Sequence, residues 1–311
     1  MKMRNRVTVR EVGPREALQA SPSVVPTEGK VKLIRDLISA GYTTINAVSF
    51  VHPGVMPQMA DAEKVLETLG PVDDVVISAL TPNLRALERA VPLADAGLLK
   101  EVHFIHAASE AVLLANGIRQ TLDEHLGTVL SMCREAKAQG LRTVVFISAA
   151  FGCSVNGRVA PEVPLGLVRV LQGSGCVDEI AISDSTGQAD PLQVASLYED
   201  LAEIVGAFPV TAHFHDSRGA ALANILAVLL SPVENLTVDV AFAGLGGDVP
   251  FLAEAAGNAS SDDLVVMLSG MGVESGVDIE SVLQTTRDFC GTYGLPIMSR
   301  TPAVGPVSWK A

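Results

Sequence analysis

Eight short runs rich in β-branched residues recur along the chain, and a stretch of helix length follows each of them. Alternation of this kind is the signature of parallel βα units, because parallel strands need a long crossover that is usually helical. The runs are Val7–Val12, Thr43–Ser49, Val75–Ala79, Glu101–His106, Arg142–Ala149, Val177–Ser183, Val210–His215 and Leu236–Ala243. Amphipathic stretches lie between them: Lys30–Ala40, Asp61–Leu69, Leu84–Leu93, Leu122–Gln139, Leu165–Gln172, Pro191–Val205 and Gly219–Leu230. Eight such units close more naturally into a (β/α)8 barrel than they spread into an open sheet. A doubly wound nucleotide-binding sheet would also need a GxGxxG turn after its first strand, and Val12-Gly13-Pro14-Arg15-Glu16 is not one.

A barrel takes about 250 residues, so the 311 residues are read as one TIM-barrel catalytic domain over 1–311. Ser261–Ser269 and Ile279–Gly291 read as extra C-terminal helices, followed by an irregular tail through Pro302 and Pro306. Hydrophobic residues make up 48% of the chain but aromatics only 4%, so the core is built from Ala, Val, Leu and Ile. With 22 Lys and Arg against 35 Asp and Glu, the net charge of −13 opposes diffuse attraction to nucleic acid or an anionic membrane. A single small anion held by a local cluster stays open. No apolar run reaches the roughly 18 residues of a membrane span, and the basic start leads into Glu11 without a signal-peptide core. Cys133, Cys153, Cys176 and Cys290 lie far apart, with no zinc-ligand spacing. They suit a reduced, cytoplasmic protein, with Cys133 and Cys176 as packing residues.

Barrel enzymes work at the C-terminal ends of their strands, so polar residues there are the candidates. They are Arg15 and Glu16 after the first run, Asn46 and Ser49 on the second, and His103 and His106 on the fourth. Asp184 follows on the sixth, His213, His215 and Asp216 on the seventh, and Asp248 and Asn258 beyond the eighth. His213-Phe214-His215 is the strongest local signal, since residues two apart on a strand face the same way and can grip one ion. The bare pattern also fits two hydrogen-bonded core histidines. Its place at the end of the penultimate strand favours the metal reading.

Several phrases together resemble the 3-hydroxy-3-methylglutaryl-CoA lyase family, within the metal-dependent lyase and aldolase barrels. They are Glu11-Val12-Gly13-Pro14-Arg15-Glu16-Ala17-Leu18-Gln19, Ser49-Phe50-Val51, Pro57-Gln58-Met59-Ala60-Asp61 and Ala107-Ala108-Ser109-Glu110. Phe151-Gly152-Cys153, Ser183-Asp184-Ser185-Thr186-Gly187 and His213-Phe214-His215-Asp216-Ser217-Arg218-Gly219 follow in the same order. Ala243-Gly244-Leu245-Gly246-Gly247 and Gly257-Asn258 complete the series. The resemblance implies a divalent metal, Mg2+ or Mn2+, on Glu16, His213, His215 and Asn258, a donor set better suited to those ions than to closed zinc. It implies Arg15 as the cation facing the developing enolate. Asp184 and Asp248 are further catalytic candidates, and Asn46, Ser49 and His106 candidate substrate contacts, on their places at the mouth. A small acyl-CoA or hydroxy/oxo-acid substrate and a homodimer are implied as partners. Arg15 as a plain salt-bridge residue is the competing reading.

Three positions depart from the family pattern. Glu16 stands where an aspartate is usual, one methylene or about 1.5 Å longer. Asn46 replaces a glutamate, which removes a negative charge beside Arg15. Asp248 replaces the catalytic cysteine of the glycine-rich loop, and three roles stay open for it: general acid or base with a pKa raised by burial, an added metal or substrate contact, or a solvated loop carboxylate. His103 and His106 are additional, and either is a structural strand histidine or, for His106, a group at the mouth. The leading expectation is a carbon–carbon lyase that splits a 3-hydroxyacyl-CoA into an acyl-CoA and a ketone or keto acid. A metal-dependent aldolase or Claisen-type condensing enzyme on a 2-oxo acid shares the same groups. A non-catalytic ligand-binding barrel is the third reading.

Overall fold

The computed structural model describes residues 4–247 and 257–307, so Asp248 lies outside the described residues. Eight parallel strands close into a barrel: β1 (Thr8–Glu11), β2 (Thr44–Ser49), β3 (Val76–Leu80), β4 (Glu101–Ala107), β5 (Arg142–Ser148), β6 (Glu179–Asp184), β7 (Val210–Phe214) and β8 (Leu236–Val240). Each pairs with its neighbours in sequence, and closure comes from β1 on β8, with Thr8 opposite Thr237 and Glu11 opposite Val240. A two-stranded hairpin, Gly152–Cys153 with Gly157–Arg158, stands on the loop after β5.

Alternation along each strand divides inside from outside. Phe104, Ile180, Ala212 and Val238 are buried in the main core cluster. Inside the barrel, Val144, Phe146 and Ala181 make a small separate cluster. Below it lies a layer of charge. Arg10 pairs with Glu179, Glu101 and Asp239, while Arg142 reaches Glu101 at 2.9 Å and Glu179 at 3.1 Å. His103 joins through Nε2, 2.8 Å from Glu101 Oε1. These charges are almost wholly enclosed except at Arg142, so each is held by partners that offset its lost hydration. They form the floor on which the mouth of the barrel rests.

Outside, the crossover helices begin where their caps dictate. Thr121 and Glu124 form a reciprocal capping box at the start of Leu122–Ala138, and Asp190 caps Pro191–Val205 by accepting from Leu192 and Gln193 N–H. Three helices escape the sequence pattern, among them the single turn Thr301–Val304 in the tail read as irregular. Gly13–Gln19 buries every residue from Gly13 to Leu18 and so shows no polar face, and Glu110–Ala115 is too short to show a period. Beyond Ser261–Gly270, the helix Ile279–Tyr293 lies against Thr27–Ser39 and closes the helix ring. The approach is so close that a Cβ on Gly29 would sit 2.1 Å from the Tyr293 hydroxyl, so any larger residue there would force the Tyr293 ring aside. Among the described residues no helix is long and apolar enough to cross a membrane.

Candidate active site

The short helix Gly13–Gln19 turns immediately after β1 and sends Arg15 and Glu16 over the open end of the barrel. From the end of β7 come His213 and His215, two residues apart and on the same face. Glu16 Oε1 lies 3.6 Å from His213 Nε2 and 3.2 Å from His215 Nε2, and all three residues are buried. One ligand atom from each lies within 4.8 Å of the others, a spacing that suits one ion. This is the only such cluster of His, Cys, Asp and Glu among the described residues.

Asn258 reaches the same place by backbone pairing. The segment after the glycine-rich loop runs back along β7, with an antiparallel bridge between His215 and Asn258 and a hydrogen bond from Ala259 N–H to Phe214 O. Its side-chain Nδ2 donates to Leu245 O at 3.1 Å, while Oδ1 is buried without a partner. A buried carbonyl oxygen without a protein partner, on a residue bridged to His215, is chemically suited to join the three donors around a cation. The donor set therefore fits a divalent cation.

The electrostatics favour positive charge at this point, so a cation would bind in competition with the His213 proton. Burial alone would raise the Glu16 pKa; Arg15, 2.8 Å away, and the His213 and His215 imidazoles outweigh it and hold the carboxyl well below its usual range. Burial opposes the charge on His213, but Glu16 and Asp239 together lift its pKa to about 9. Asp239 Oδ2 sits 3.1 Å from His213 Nδ1 and so fixes the ring with Nε2 toward Glu16. The sequence reading missed Asp239. Its signal was parity, since it is an inward residue of β8 directly opposite His213 in the register.

Arg15 is clamped on two sides, by Glu16 and through Nε to Asn46 Oδ1 at 2.6 Å. Asn46 in turn donates to Ser78 Oγ at 3.0 Å. The neutral amide thus takes over the orienting role of an acid without its charge. Other expected residues lie elsewhere. Ser49 Oγ accepts from Val51 N–H at 3.3 Å and serves its own turn. Asp184 accepts from Gln188 N–H at 3.0 Å and Ala189 N–H at 2.9 Å, so it holds the loop after β6; burial raises its pKa against the pull of those bonds and of His215.

His106 is not brought to the mouth. Strand parity turns it outward, where Nδ1 meets His125 Nδ1 at 3.0 Å, and burial and His125 push its pKa down to about 4. Its neighbour Ile105 takes the mouth position instead, with Leu80 and Phe146. Across from Arg15 stand three serines that the sequence reading passed over: Ser185 Oγ is 2.6 Å from Ser148 Oγ and 3.1 Å from Ser183 Oγ.

The HMGL-like family model matches residues 6–289. The mitochondrial hydroxymethylglutaryl-CoA lyase of Arabidopsis thaliana is 38% identical over 277 residues, which cover 89% of this chain and 57% of that longer protein. Hydroxymethylglutaryl-CoA lyase of Pseudomonas mevalonii is 37% identical over 94% of this chain and 95% of its own. The crystal structure of hydroxymethylglutaryl-CoA lyase from Pseudomonas aeruginosa superposes with a TM-score of 0.88 at 31% identity, covering 97% of this chain and 98% of that one. The chain belongs to the HMGL-like family.

Proposed function

We infer that this barrel is a metal-dependent carbon–carbon lyase that cleaves 3-hydroxy-3-methylglutaryl-CoA into acetyl-CoA and acetoacetate. The observation that carries the reading is the convergence of Glu16, His213 and His215 beside a clamped Arg15. Glu16, His213, His215 and Asn258 would hold the ion, and two oxygens with two imidazole nitrogens, leaving positions open for substrate oxygens, favour Mg2+ or Mn2+. When bound, it supplies Lewis acidity toward the oxygens of the substrate.

The chain's own groups do the remaining work. Arg15, fixed by Glu16 and Asn46, presents its guanidinium to the thioester oxygen as that oxygen becomes an enolate. Preorganised charge of this kind acts on the transition state because no side chain has to move. Asp239 keeps the His213 ring in one orientation, and Asp184 keeps the 185–189 loop in place, a positioning role narrower than the catalytic one expected of it. Delivery of a proton to the new acyl-CoA carbon is assigned to Asp248 on its place in the glycine-rich sequence. One catalytic domain over 1–311, a homodimer and a cytoplasmic setting complete the reading; four buried, free cysteines support the last of these.

The test is product analysis after chelation. Protein stripped with EDTA should yield no acetyl-CoA or acetoacetate, and Mg2+ or Mn2+ should restore both. Equal cleavage with and without chelator, or acetyl-CoA formed from no 3-hydroxyacyl-CoA, would count against the lyase. His213→Ala and His215→Ala should each lose Mn2+ binding.

A further inference from the structure

The wall of the mouth falls into three sectors of different chemistry. β1 and β7 supply Arg15, Glu16, His213 and His215. Leu80, Ile105 and Phe146, from β3, β4 and β5, supply only carbon toward the cavity. The third sector is the serine row on β5, β6 and the loop after it, and in a ring of eight strands β5 stands opposite β1.

Proton counting shows what the row can do. Ser148, Ser183 and Ser185 carry three hydroxyl protons, and the row contains two links, Ser148 with Ser185 and Ser185 with Ser183. Ala149 N–H donates into Ser185 as well, which takes up acceptor capacity and no proton. Whichever way the row is polarised, one O–H is left over. All three residues are at least 95% buried, so an unmatched hydroxyl there is unfavourable and calls for an acceptor in the cavity.

The substrate of the proposed reaction has oxygens in three places: its thioester, its carbinol hydroxyl and its carboxylate. Arg15 takes the thioester oxygen, and the hydroxyl lies with the Glu16 and histidine sector. The carboxylate is the acceptor that remains for the opposite wall. The lining carries one carboxylate, Glu16, against the Arg15 guanidinium, and Asn46 adds no negative charge to repel another. The apolar sector is left for the alkyl substituent.

We propose that the Ser148–Ser185–Ser183 row recognises the carboxylate of the departing fragment, so that the enzyme selects acyl-CoA thioesters whose product is an oxo acid over those whose product is a simple ketone. The proposal rests on the lyase reading above. Its test compares 3-hydroxy-3-methylglutaryl-CoA with 3-hydroxy-3-methylbutyryl-CoA, the same carbinol without the carboxylate, in parent and S148A/S183A/S185A enzyme loaded with Mn2+, since Ser185 left alone would keep a free O–H. Loss of a hydrogen bond to a charged oxygen raises KM for the first substrate about 10- to 100-fold. KM for the second stays within about twofold, because no partner is removed from it. Ser148→Thr and Ser183→Thr, which keep the hydroxyl, hold KM near the parent value. If the triple variant does not fold, the three single alanine variants carry the comparison: the one that removes the hydroxyl facing the carboxylate raises KM for 3-hydroxy-3-methylglutaryl-CoA, and parity of all three with the parent overturns the role. Cleavage by the parent with unchanged selectivity in the variants overturns the serine row alone. Failure of the parent to cleave either thioester overturns the lyase reading and the row with it.

Discussion

Gly246→Ala should unseat Asn258, the proposed fourth metal ligand, without replacing it. Gly246 holds φ at +125°, a backbone region that L side chains rarely enter, and a Cβ placed there would fall 2.1 Å from Asn258 Nδ2 and 3.5 Å from Glu16 Cγ. No two such atoms coexist at 2.1 Å, so the Asn258 amide must turn away and surrender its bond to Leu245 O. The backbone strain costs about 1–3 kcal/mol and the lost hydrogen bond about 0.5–1.5 kcal/mol, which together lower stability by about 2–4 kcal/mol. The effect on the ion is separate. Misplacing one ligand while three remain is comparable to removing its outer support, so Mn2+ affinity falls about 10- to 100-fold, or about 1.4–2.7 kcal/mol. Free Mn2+ measured by electron paramagnetic resonance during a titration reads this directly, and thermal melting reads the strain. Asn258→Ala sets the reference. If Asn258 carries the loss, the G246A/N258A double variant binds Mn2+ no worse than N258A, the non-additivity expected of two changes acting through one group. Parent-like Mn2+ affinity in Gly246→Ala would refute the assignment of Asn258.

Arg15→Met removes a cation that acts mainly as charge develops, so kcat falls about 10²-fold or more, whereas a raised KM with unchanged kcat would assign Arg15 to binding alone. Asp248→Asn is expected to remove a carboxylic-acid limb from the pH profile of kcat while Mn2+ binding is retained; full activity would make the carboxylate a bystander. Glu11, buried under Gly13 N–H, Phe242 N–H and the Ser261 hydroxyl, is pushed up to about 8 by burial against the pull of those bonds. A raised carboxyl favours the folded state below its unfolded pKa, and that contribution is lost as pH rises from 4.5 through about 8. Glu11→Gln should therefore gain on the parent in urea midpoint between pH 5 and 8, and midpoints that track each other across that window would show that Glu11 is ionised in the fold.

The barrel was legible because its signal is repeated. Eight β-branched runs with helical spacers leave little freedom, and β5 begins at Arg142 as read while ending one residue before Ala149. Ends were less legible where the chain leaves the sheet without changing composition. Leu236–Ala243 reads as one apolar strand, yet β8 stops at Val240, and Phe242–Gly244 turns into a 3-10 helix with Ala243 at φ +58°. Asp262 accepts from Ala243 N–H there, a tertiary contact that no local pattern announces.

The site follows a similar division, and strand parity explains most of it. His213 and His215 were readable together because two residues on one strand share a face. The same rule, applied on β4 from Glu101 through His103 to Ile105, sends His106 outward, so a histidine at a strand end is not by that fact a group at the mouth. Composition drew attention to the imidazole, while the inward register belonged to an isoleucine. Ser148 and Ser183 are the converse case. Each occupies a last inward position of its strand, but serine is common enough that only adjacency across β5 and β6 turns single hydroxyls into a row with a proton to spare. Adjacency of that kind depends on the stagger between neighbouring strands, a property of the closed barrel that no single run of sequence contains.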